Sequence, residues 1–135
     1  MDELTLDHAI AVTTKVLEAA EKTSATVAVV VVDATANPVV SVRPPGVAAL
    51  VESAARRKAA AAAFGAPTDT LAEMFGGDPL LAGVFAGSPD VLVLPGGFPL
   101  AGANGICGAV GIAGGHYSAD QAIGEDALGD LRATT

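Results

Sequence analysis

This sequence predicts an α+β layer fold around a largely antiparallel sheet, and three observations carry that reading. Two β-branched runs, "ATVAVVVVD" and "VVSVR", flank the turn signal "DATANP", which is the pattern of a hairpin. Apolar residues recur at helical spacing before, between and after the strand-like runs. The stretch 94–115, "LPGGFPLAGANGICGAVGIAGG", holds eight of the sixteen glycines in an otherwise apolar segment. A linker would be polar, so bare backbone there implies close packing. Hairpin-joined strands with helices between them are solved by helical layers on a sheet.

The elements follow in order. Thr5 is a capping residue, and Asp7 in the first turn suits the helix dipole. Leu6, Ile10, Thr13, Leu17 and Ala20, with Val16 beside them, predict the buried stripe of a first helix, leaving His8, Lys15, Glu18 and Lys22 on its polar side. "VAVVVV" predicts a strand covered on both faces. "PPG" at 44–46 interrupts the chain. A second helix is expected over 47–64, driven by alanine, the best helix former, in a run of five at 59–63. Gly65 suits its C′ position and Pro67 blocks continuation. Thr68 is expected to cap a short third helix, "DTLAEMF", in which Leu71, Met74 and Phe75 form an apolar stripe for core or subunit contact. Residues 78–90 read as a long irregular connection, followed by a strand "VLVL" at 91–94.

"ICGAVGIA", 106–113, is a further strand. Its alternation puts Ile106, Val110 and Ile112 with Gly108 on one face, and Cys107, Ala109, Gly111 and Ala113 on the other. That second face is nearly bare, so a helix, a ligand or a second subunit must approach it closely. "SADQ" at 118–121 fits a capping box for the last helix. Residues 1–135 read as one domain.

Composition removes several function classes. The net charge of −8 argues against nucleic acid and anionic membrane surfaces, which select clustered Lys and Arg. One cysteine, Cys107, gives no internal disulfide, and with two histidines it makes no spaced metal-ligand set. "MDELTLDHAI" lacks the basic flank and apolar run of a signal peptide, so a cytoplasmic location is expected. Hydrophobic residues at 51% against 16% charged are apolar for a small monomer, which predicts contact with another copy of the chain, a homo-oligomer.

The motifs "FGAPTDTL", "LVLPGGFPL" and "GAVGIAGG" followed by "SADQAI" resemble, in order and spacing, the GlcG/HbpS-like family, also called the haem-degrading domain family. The opening helix and hairpin fit it too, so the resemblance covers nearly the whole chain. It implies a profilin-like α/β/α arrangement with a five-stranded, largely antiparallel sheet, and oligomers. It also implies a haem or related tetrapyrrole ligand, with degradation as a further activity. Family members usually carry "KA-x-TA" on the second helix. Aligned from "FGAPT", Arg57 replaces that Lys and Ala60 that Thr. A shift of one residue places Lys58 at the Lys and Ala61 at the Thr, so the hydroxyl is missing either way.

The candidate site residues each have a bland reading beside the functional one. Gly96 and Gly97 could present backbone N–H groups to a carboxylate or carbonyl oxygen, with Phe98 beside them, or could serve only a turn stiffened by Pro95 and Pro99. His116 could bind haem iron or act with Asp120 as acid and base, or be an exposed loop histidine beside a residue that favours a helix N-terminus. Arg57 has a planar fork suited to a carboxylate or propionate, or to a surface salt bridge. Cys107, within a strand, reads as an inert small hydrophobe. Two functions stay open: an oligomeric binder of haem, or an enzyme acting on a small carboxylate- or imine-containing metabolite. A ligand-free assembly module is a third. A small closed cavity with convergent polar groups would favour the enzyme, and a broad apolar groove the binder.

Overall fold

The valine run becomes a central strand. The computed structural model describes residues 3–132, with side chains through 129, as α1 (Leu6–Lys22), β1 (Ala28–Asp33), β2 (Pro38–Val42), α2 (Ala49–Ala62), α3 (Thr68–Gly76), α4 (Pro79–Ala86), β3 (Gly97–Gly102), β4 (Gly105–Ala113) and α5 (Tyr117–Arg132). The strands make one antiparallel sheet in the order β2-β1-β4-β3. Val29 and Val31 point into a core shared with α1 and α5, built from Val12, Val16, Phe98, Leu100, Val110, Ile112 and Leu128. Ala28, Val30 and Val32 point the other way, against Ala55, Ala59 and Ala62 of α2.

The second contact is close because both surfaces are stripped. A Cβ at Gly111 would run into the backbone carbonyl of Ala55, so α2 can lie on β4 only where no side chain intervenes. The bare strand face expected from sequence is therefore covered within the chain, by the alanine helix.

Among the described residues the sheet has four strands, not five. Residues 91–94, expected as a strand, pair with no strand; Leu92 N–H instead donates to the Arg57 carbonyl at 3.0 Å, tying the segment to α2. A strand needs a ladder partner, and this segment runs along a helix. Residues 78–90 are not irregular throughout, since Asp78 caps α4 by accepting from Leu81 N–H at 3.2 Å, with Pro79 in the first turn.

Smaller differences have equally local causes. The buried side of α1 is Ala9, Val12, Thr13, Val16, Ala19 and Ala20, while Leu6 and Ile10 stay exposed, so the stripe is turned from the expected one. Small residues let the helix lie close to the sheet, and the larger pair falls outside. Thr5 caps α1 as expected, accepting from His8 N–H at 3.0 Å. Thr68 does not cap α3: Pro67 holds that position, and the Thr68 hydroxyl turns inward. Cys107 joins the bulky core rather than the bare face, because the β3–β4 register shifts between Leu100 and Ala101 and leaves Cys107 unpaired with β3. Ser118 lies inside α5, so the capping box is displaced, and the His116 ring takes the capping role, accepting from Ser118 N–H at 3.2 Å. No helix among the described residues is long and apolar enough to cross a membrane.

Candidate functional site

Arg57 and Lys58 are neighbours on α2, and successive helical residues project about 100° apart. The segment 91–94 runs between their directions, and Leu92 and Leu94 line a cavity on each side of it. The consecutive cations thus serve two different cavities.

The Arg57 cavity has a volume of about 440 Å³ and is lined by Ala72, Phe75, Gly76, Ala82, Phe85, Ala86 and residues 91–94. Phe75 and Phe85 stack at 4.8 Å, and Phe64 meets Phe85 edge-on at 6.0 Å. Arg57 is the polar residue of this lining. Its Nη2 donates to the carbonyls of Ser88 and Val91 at 3.4 Å each, long for charge-assisted bonds. Its Nε is buried with no hydrogen-bond partner among the described residues, which costs free energy. Ala60 is half-buried nearby, packed with Leu71 and Val91, and offers a methyl and no hydroxyl.

The Lys58 groove, about 420 Å³, is walled by Leu50, Val51, Ala54, Leu92, Leu94 and Ala113, and edged by the 114–117 turn. At its base Lys58 Nζ donates to Asp120 Oδ2 at 2.9 Å and to the Ile112 carbonyl at 2.9 Å, with both side chains almost wholly buried. Asp120 Oδ1 accepts from Gly115 N–H at 3.3 Å, so the carboxylate also fastens the turn into α5. Desolvating two ions is costly, and these extra bonds are what make a buried pair tolerable. Gly96 makes room for it. Its φ of +122° lies in the region glycine favours, and a Cβ there would sit 2.9 Å from Lys58 Nζ and 3.1 Å from Asp120 Cβ.

The structure brings His116, Tyr117 and Asp120 to one groove, His116 exposed on the edge with its ring tilted by 35° against that of Tyr117 at a centroid distance of 4.0 Å. His116 Nδ1 lies 2.7 Å from Ser118 Oγ and accepts the Ser118 N–H. In the neutral ring that acceptor role at Nδ1 puts the proton on Nε2. Arg57 stands in the other cavity. The Gly96 N–H donates to Gln121 Oε1 at 3.1 Å and the Gly97 N–H to Thr68 Oγ1 at 2.8 Å, so both amides are engaged inside the chain. Phe98 is fully buried in the core and lines neither cavity.

Lys58, as the base of a groove, is what sequence reasoning gave least weight. A signal was present: Lys58 stands three residues after Ala55 and four before Ala62, on the stripe that packs on the sheet. Among the described residues no cluster of three or more His, Cys, Asp or Glu could hold a metal ion.

Comparison with known proteins gives one consistent answer. No curated protein matches the sequence. The crystal structure of HbpS superposes with a TM-score of 0.83 at 31% identity, over 97% of this chain and 92% of that one. Klebsiella pneumoniae protein ORFY gives 0.85 at 23% identity, over 98% and 94%. The crystal structure of a PduOC:heme complex gives 0.78 at 24% identity, over 95% and 94%. The family model described as "Haem degrading protein HbpS-like" matches residues 4–129, and the chain belongs to that HbpS-like family.

Proposed function

We propose that the chain is an oligomeric binder of haem or a related tetrapyrrole, with Arg57 receiving a propionate. The carrying observation is an apolar, phenylalanine-lined cavity whose lining includes one arginine, with a buried Nε that has no partner among the described residues. Family membership and a haem-complexed structural neighbour support the ligand class. The cavity suits a macrocycle edge and an anionic arm. Its volume is at the low end for small-molecule sites, so a macrocycle must extend over the surface beyond it. That surface is apolar: Phe64 is 70% exposed and Val84 63%. The lining offers no histidine, cysteine or tyrosine to iron. His116 is the candidate iron ligand from the neighbouring groove, and ligation needs its Nε2 proton to move to Nδ1. Bound haem supplies the redox-active iron; the chain's part is to bind the propionate, exclude water with its phenylalanines and hold the ligand edge.

The homo-oligomer rests on α4, "PLLAGVFA", which carries no charge and buries none of its residues. A helix apolar all round ordinarily sits inside protein. Sedimentation giving a monomer across micromolar concentrations would refute this part.

The test of binding is haemin titration followed in the Soret band. The expectation is a shifted band that saturates, and about tenfold weaker binding in Arg57→Ala, the worth of one charge-assisted bond. A spectrum identical to free haemin, without saturation, would overturn the reading. Degradation is the finer proposal: with ascorbate and dioxygen supplied, the bound Soret band should decay faster than that of free haemin.

A further inference from the structure

We infer that Lys58 captures small apolar aldehydes or ketones as an iminium, in a groove separate from the Arg57 cavity; this goes beyond haem binding and does not depend on it. Three observations carry it. Lys58, its side chain almost wholly buried, lines a groove with leucine, valine and alanine walls, so a carbonyl ligand there would lie among apolar side chains beside that lysine. Nζ has three N–H donors, and Asp120 and the Ile112 carbonyl take two; the third has no acceptor among the described residues. A carbonyl oxygen is the neutral acceptor that fits. An anion would be opposed, because Asp120 already balances the ammonium and the chain carries a net charge of −8.

Asp120, 2.9 Å from Nζ, completes the chemistry. The ammonium passes one proton to the Asp120 carboxylate, freeing the amine. The amine adds to the carbonyl carbon, and proton transfer from nitrogen to oxygen gives a neutral carbinolamine. Asp120 then returns its proton to the carbinolamine oxygen, water leaves, and a C=N bond forms. The products are a protonated iminium on Lys58, a carboxylate on Asp120 and one water. The charges at the end equal those at the start, so no step strands an unpaired charge in a buried site, which would be the costly outcome. Lysine amines form Schiff bases with carbonyl substrates as covalent intermediates. Arg57, one residue away, cannot take the role because its guanidinium stays protonated.

The experiment uses the full chain, benzaldehyde as the probe and sodium cyanoborohydride as the hydride donor that fixes an iminium as an amine. The chain has only two other lysines, Lys15 and Lys22, both exposed on α1, so peptide mapping by mass spectrometry separates the sites. The expected result is an adduct on Lys58 at least several-fold more abundant than on Lys15, Lys22 or the terminal amine. In Lys58→Arg that adduct disappears while the others persist. Labelling confined to the exposed amines, with Lys58 unmodified, would overturn the proposal. Because the mapping is done on the unsubstituted chain, its outcome does not require Lys58→Arg to fold. Haemin titration in parallel keeps the two functions distinct: either can fail alone.

Discussion

The two faces of the sheet are covered in opposite ways. On the α1/α5 side, valine, isoleucine, leucine and phenylalanine interdigitate around Val29, Val31, Val110 and Ile112. On the α2 side, alanines lie on glycine and alanine, with Ala55 against Gly111. The first face is closed by bulk. The second is closed by proximity, and a thin contact cannot fill the space at its margins. The Lys58 groove lies at such a margin, between α2 and the end of β4, whereas the Arg57 cavity is lined by α2, α3, α4 and residues 91–94 with no strand residue. The difference teaches where the Lys58 groove arises: beside the contact that has least side chain to spend.

The largest expected effect tests the ion pair on the thin side. Asp120→Ala leaves the Lys58 ammonium buried and unpaired, and should cost about 3–5 kcal/mol by urea unfolding. Lys58→Met combined with Asp120→Leu should recover most of that loss, because the cost lies in the orphaned charge. A double variant no more stable than Asp120→Ala would show that the pair does more than cancel charge.

Neighbouring residues of β4 then separate the faces directly. Gly111→Ala adds one methyl on the thin side, where it meets the Ala55 backbone and cannot be absorbed by a rotamer change. It should cost about 3 kcal/mol, at the upper end for overpacking. Ile112→Val removes one methylene on the bulky side and should cost only about 1 kcal/mol. If Gly111→Ala proves the milder change, α2 is not seated as tightly as the comparison requires.

Sequence reaches the first of these faces more easily than the margins of the second. Bulk leaves a periodic signal, so α1, the hairpin and β4 are readable from spacing, and the alanine run marks α2. The extra strand expected at 91–94 does not form because "VLVL" has strand composition in either setting; what decides is a ladder partner, and that is a tertiary fact. Cys107 changes face for the same kind of reason, through a register shift with β3. At the site, the Gly96 and Gly97 amides can be identified as donors, but not that Gln121 and Thr68 already accept from them. Asp120 can be found at a helix start; its partner, 62 residues away in sequence, cannot.

The smallest effect belongs to neither face and serves as the control on both. Asp33 ends β1, and its Oδ1 accepts from Asn37 N–H at 3.0 Å, from the Thr35 hydroxyl at 2.8 Å and from Thr35 N–H at 2.9 Å. The Asn37 backbone bond, then the Thr35 hydroxyl, hold its carboxyl below the ordinary aspartate value, against a smaller opposing effect of burial. A carboxyl lowered by folding adds stability that is complete above its unfolded value and is lost as pH falls through the folded value. Asp33→Asn should therefore cost no more than about 1 kcal/mol at neutral pH, and the gap from the unsubstituted chain should close in acid. The Gly111→Ala and Ile112→Val losses contain no titrating group and should keep their size over the same range. Melting curves at neutral and acid pH decide it: if the Asp33→Asn deficit is constant with pH, the turn is held by geometry and not by the charge of Asp33.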